Sequence, residues 1–301
     1  MKALLPAALA ASLAIAAALP VERVAGAPGR RLALEGAAQL FRAGHVSTER
    51  TEVRITFSPD GTRMLWGAIG VTGGPGGWEI LESVRTGSGW GEAHAVPFDS
   101  ASNDFDPSFA PDGRAVYFFS NRPGGQGRDD IYAVPFDATR GQYGTARGLG
   151  PTVNSPGDEW APVVSGDSTR LLFSSDGHGG KGRQDLFIAT RSKDGAWGAA
   201  VNAGDVNTAH DDFDATFAHG DRGIVFASGN VDGDVSLYWA AADGGRFGPR
   251  EPLAAPLDGT FGSFSNGPSI ATGEPGWLYF STNRPGGAGR MDIYRIRYRW
   301  R

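Results

Sequence analysis

Two aspartates, Asp106 and Asp214, sit in two similar segments far apart in the chain, Phe105-Asp106-Pro107 and Phe213-Asp214-Ala215. Two carboxylates brought to one place can divide labour, one giving a proton while the other takes one or attacks, as in glycoside hydrolysis. The plain alternative is that each side chain accepts a nearby amide at a strand start. A second, larger set is charged: Arg122, Arg128, Arg183, Arg284 and Arg290, with Asp104, Asp158, Glu159, Asp211 and Asp212, and with Asp130, Asp185 and Asp292. Interleaved charges of both signs suit a polar ligand, a glycan or a protein partner; otherwise they pair with one another and pin neighbouring loops. A third set, Asn230, Asp232 and Asp234, resembles the first half of a calcium loop. Ala241 stands where the closing acid of such a loop belongs, so a hairpin turn is the plainer reading and no cofactor is expected.

Other chemistries are excluded by what the chain lacks. There is no cysteine, so thiolate zinc sites and cysteine nucleophiles are out, and the five histidines show no metal-type spacing. No phosphate loop and no GxSxG elbow occurs. The net charge of −5 with only three lysines argues against a nucleic-acid partner. Residues 1–18 read as a secretory leader, with one basic residue, Lys2, and then an Ala/Leu-rich run. The expectation is a periplasmic or secreted chain with a flexible segment at 19–33 and no membrane span after cleavage.

The elements that must position these residues follow from a repeat. Five segments share one register: Phe57–Trp66, Phe109–Phe118, Val164–Phe173, Phe217–Phe226 and Ile270–Phe280, their starts 52, 55, 53 and 53 residues apart. Each is followed by a second landmark such as GRDDIY (Gly127–Tyr132) or GRMDIY (Gly289–Tyr294). Four units add an aromatic–Gly pair, at Trp90, Tyr143, Trp197 and Phe247. Pro-Asp-Gly supplies a tight turn, and the consecutive apolar residues after it predict a strand buried on both faces. Pro107, Pro162 and Pro268 fall in the strand before the turn, which must therefore be an edge. Four-stranded units with a protected edge, repeated radially, are propeller blades. The reading is all-β: one five-bladed propeller over 34–301, with blades at about 51–102, 103–153, 154–206, 207–259 and 260–301. The last unit lacks a fourth strand, so residues near 34–42 are expected to supply it and close the ring. Arg54, Asp106, Ala161, Asp214 and either Ser265 or Gly267 then lie near the channel mouth.

The stretches SPDG, SNRPGG, GRDDIY and NSPGDEW resemble the TolB-like bacterial propeller-repeat family over nearly all of the chain after the leader. The sequence departs from that family's usual six blades and additional N-terminal domain. The resemblance implies a periplasmic or secreted binding scaffold; the expected partner is a protein or an envelope polymer, glycan included, and the expected state a monomer. The face bearing the Arg and Asp set is the expected docking surface. The second reading is a polysaccharide-processing hydrolase or lyase working through Asp106 and Asp214.

Overall fold

The computed structural model describes residues 31–71, 74, 76–218, 220–243, 246–253, 264–271 and 274–301. The expected leader lies outside them, as does most of the 19–33 segment. Every helix or strand assigned among the described residues is a strand, and the strands form five antiparallel sheets arranged as a five-bladed propeller. No helix among them is long and apolar enough to cross a membrane.

Each blade runs from the channel outward. The inner strands are Thr51–Phe57, Asp104–Phe109, Glu159–Val164, Asp212–Ala218 and Ser265–Ile270. Each pairs with a second strand that follows the tight turn, such as Ala115–Ser120, and that strand pairs in turn with a third, such as Asp130–Asp137. In blades one, two and four the outer strand is broken into two short pieces, as at Gln142–Tyr143 and Arg147–Gly148. In the fifth blade it is Leu32–Leu40, antiparallel to Asp292–Trp300, so the ring is closed by residues from opposite ends of the chain. This strand starts two residues before the expected 34–42.

Burial explains the apolar runs. Phe118, Phe173, Phe226 and Phe280, one in each second strand of blades two to five, are fully buried. The core is divided among the junctions between blades: Phe57, Met64 and Trp66 of blade one pack with Tyr279 and Ile293 of blade five, and Leu172 and Leu186 of blade three with Phe217 and Phe226 of blade four. A sheet sandwiched between two others has no wet face, which is why alternation is lost.

The inner strands share one irregularity. Arg54, Asp106, Ala161, Asp214 and Gly267 all adopt a left-handed backbone, with φ between 48° and 55°, and the register to the second strand slips at each of them. Such a bulge turns the strand at the channel wall. Of the two residues that could occupy the fifth place, the backbone selects Gly267. A Cβ there would sit 3.0 Å from the Arg54 nitrogen. Left-handed strain of about 1–2 kcal/mol adds to that contact, so Gly267→Ala is expected to lower the melting temperature by about 4 °C. Calorimetry of the pure variant checks this.

Candidate functional site

The charged set divides by burial. Asp104, Glu159 and Asp212, expected on the docking face, are fully buried. Each accepts the backbone N–H of the residue four before it, Ser100 at 2.5 Å, Ser155 at 2.8 Å and Thr208 at 2.6 Å, and also that residue's hydroxyl. Glu52 does the same with Thr48 in blade one. Asp130, Asp185 and Asp292 are equally buried and clamp the glycine-rich loops: Asp130 takes the N–H groups of Gln126 and Gly127, Asp185 those of Lys181 and Gly182, and Asp292 those of Ala288 and Gly289. All six are buried loop anchors and not the exposed docking residues expected from the sequence. A short acid next to a tight loop satisfies amides that the sheet leaves over.

The arginines are also engaged. Arg122 pairs with Asp104, donates to the Phe98 carbonyl at 3.1 Å, and lies 5.0 Å above the Phe118 ring and 5.1 Å above that of Tyr132. Arg284 stacks on Phe280 and Tyr294 in the same way, and Arg250 joins Asp212 to the Tyr238 ring. In blade three His178 takes the place, beside Phe187 and 3.8 Å from Glu159. Arg122 and Arg250 are thus wedges of cation, aromatic ring and carboxylate within the fold. Only Arg128, Arg183 and Arg290, with Asp158 and Asp211, approach the surface role expected of them. Arg128 forks onto Asp158 and Asp176, Arg183 reaches Asp211 at 3.1 Å, and Arg290 is exposed. In the candidate calcium loop, the Asn230 oxygen is turned back onto the N–H groups of Asp232 and Asp234. Among the described residues no group of three acids, histidines or cysteines could hold a metal ion.

A different site emerges on the channel axis. A cavity of about 660 Å³ opens on the face of the blade connections. Its walls are aromatic: Trp78, Phe105, Phe119 and Trp160 form one chain of ring contacts at 5.1, 6.0 and 6.3 Å, and Phe213 and Phe264 form another pair at 6.4 Å. Trp78, 37% exposed, is one of the few large apolar side chains left open to solvent. Trp160 is fixed by its Nε1–H, which donates to Asp129 at 2.8 Å.

Asp106, Asp214, Gln184 and Asn266 line the same cavity, and Arg54, which does not line it, is the counter-charge of the two aspartates. Asp106 and Asp214 come together from blades two and four, both nearly fully buried. Arg54 crosses the axis from blade one and donates Nη2 to the Ala215 carbonyl at 3.0 Å. Asp214 accepts the Gly267 N–H at 3.1 Å and a hydrogen bond from Asn266. Asp106 Oδ1, Asn266 Oδ1 and Gln184 Oε1 are buried with no hydrogen-bond partner among the described residues. Burial, and then the charge of Asp214, hold the Asp106 carboxyl well above the usual carboxylate range, with Arg54 opposing. Asp214 is also raised by burial, against Arg54 and its two hydrogen bonds.

No family model matches the chain, and no curated protein sequence does. Solved structures do. The α-L-arabinofuranosidase PaAbf62A of Podospora anserina, in complex with cellotriose, aligns over 90% of this chain and 97% of its own at 12% identity and a TM-score of 0.53. A GH62 hydrolase in complex with xylotriose aligns over 85% and 96% at 10% identity and a TM-score of 0.54. TolB from Acinetobacter baumannii aligns over 83% of this chain at 13% identity and a TM-score of 0.48, and the match spans 57% of that protein. At these identities the likeness is one of fold.

The funnel aromatics carry a signal in the sequence. Phe105, Trp160 and Phe213 each stand immediately before a bulge residue, and Val53 and Asn266 occupy the same place in blades one and five. An aromatic at that one position points at the axis, whereas the repeated Trp90 and Tyr143 pack into the fold against Phe57 and Phe98.

Proposed function

We propose that this chain is an exported binding propeller that takes a carbohydrate segment of an envelope polymer into its axial funnel. One observation carries the reading: Asp106, Gln184 and Asn266 line a cavity walled by aromatic rings, and each carries a buried oxygen with no hydrogen-bond partner among the described residues. Buried acceptors call for a ligand rich in donors, and ring faces suit the C–H faces of a sugar. The leader-like residues 1–18 support export. The Arg and Asp set supports no separate docking surface, because most of it is spent inside the fold.

Titration of tryptophan fluorescence with a panel of glucan, xylan, arabinan and amino-sugar oligosaccharides tests this. At least one of them should bind, and Trp78→Ala should weaken that binding by about fivefold to tenfold, the worth of one aromatic contact. A silent panel, or a Trp78→Ala protein that binds as well as the parent, would overturn the reading. A second reading, hydrolysis, is favoured by the unequal settings of the two carboxylates. Asp106 would protonate the leaving oxygen while Asp214 works as the anion. New reducing ends in the same incubations, abolished by Asp106→Asn, would establish it.

A further inference from the structure

The axial cluster holds more negative than positive groups. Asp106 and Asp214 share a single guanidinium, Arg54, while Ala161 and Gly267 leave the other two bulge positions uncharged. Arg54 is held by the Ala215 carbonyl, and Asp214 by Gly267 and Asn266. Asp106 is the odd member, 4% exposed, lining the funnel, with Oδ1 unpartnered among the described residues.

The remaining charges around it do not correct the imbalance. Asp129, held against Trp160 behind the funnel wall, adds a further carboxylate to the field at Asp106. At the rim Arg183 is spent on Asp211, and His210 stands next to that pair. With both axial carboxylates ionised, the site carries one uncompensated negative charge where water is scarce. Without a ligand, the chain avoids this by leaving a proton on Asp106, whose carboxyl burial and the Asp214 charge hold high. A cation seated against Asp106 would do the same work, and the aromatic walls are suited to hold one.

We propose that the funnel selects a positively charged sugar, an amino sugar whose free ammonium sits against Asp106 while its hydroxyls donate to Gln184 and Asn266. This rests on the carbohydrate reading and specifies its ligand. Binding then displaces the Asp106 proton into the buffer.

The test compares the trimer of glucosamine with the trimer of N-acetylglucosamine and with cellotriose by calorimetry at pH 6, using the full chain. The free amine should bind at least about tenfold more tightly than either neutral trimer, the scale of a desolvated charge contact. Repeating the titration in two buffers of different ionisation enthalpy should show net proton release on binding of the amine trimer. Asp106→Asn should lose most of the preference for the amine, and the buffer experiment on the parent protein stands whether or not that variant folds. Neutral trimers that bind as tightly as the amine, or amine binding with no proton released, would overturn the charge selection and leave the carbohydrate reading intact. Binding of none of the three would remove both.

Discussion

Arg122→Ala is expected to lower the melting temperature by about 10 °C at pH 7. The guanidinium is the counter-charge of Asp104, a fully buried carboxylate, and removing one partner of such a pair costs about 3–5 kcal/mol because the other charge stays behind. The same side chain donates to the Phe98 carbonyl and covers the rings of Phe118 and Tyr132, so lysine, a point charge without the planar fork, should rescue little. Arg183→Ala is the control. Its side chain is 85% exposed, its partner Asp211 is reached from solvent, and its loss should move the melting temperature by no more than about 2 °C. Circular-dichroism melts of the two variants side by side decide the matter. Equal, small shifts would return Arg122 to the surface role that the sequence suggested.

That contrast marks where the sequence is legible. Turns and strands are written locally: Pro-Asp-Gly at Pro111–Gly113 leaves few backbone choices, and the run Ala115–Phe119 has no polar face to show water. Ring closure was readable because the last unit lacks a strand that the others possess. The charged residues are a different case, since an aspartate in a loop looks the same in sequence whether it faces solvent or its own backbone. Spacing holds a clue: Thr48 and Glu52, Ser100 and Asp104, Ser155 and Glu159, and Thr208 and Asp212 all keep the same interval of hydroxyl to acid, and all four acids are anchors. The bulge gives no such clue. Arginine, alanine, glycine and two aspartates adopt the same left-handed conformation at equivalent positions. What they share is the geometry of an inner strand bending at the axis, and only the assembled ring brings Asp106 to Asp214.

The protein should be most stable in mild acid and should melt roughly 10 °C lower at pH 8 than at pH 5. The reason is the number of carboxyls whose folded environment favours the proton. Asp99 is the clearest: burial, and then the charge of Asp104, push it to about 9, against one hydrogen bond from the Ile80 N–H. Burial is also the leading cause that raises Glu52, Glu79, Asp129, Glu159 and Asp185, in addition to the axial pair. For each, the folded chain keeps a proton that the unfolded chain releases above about pH 4. Stability is therefore whole below that pH and is lost as the pH climbs toward the folded value. At 1.36 kcal/mol per unit, Asp99 alone accounts for roughly 4 kcal/mol between pH 5 and pH 8. The opposite sign belongs to Asp167, drawn down to about 2 by the Ser165 hydroxyl and the Thr169 N–H, and to Asp60, also lowered. Their contribution disappears as pH falls below 4, so the maximum lies between the two ranges. Asp99→Asn keeps an oxygen for the Ile80 N–H and removes the ionisation, so it should flatten the decline and raise the melting temperature at pH 8 while changing little at pH 4. A parent protein whose melting temperature is level or rising from pH 5 to pH 8 would mean that water reaches these carboxylates and the burial argument fails.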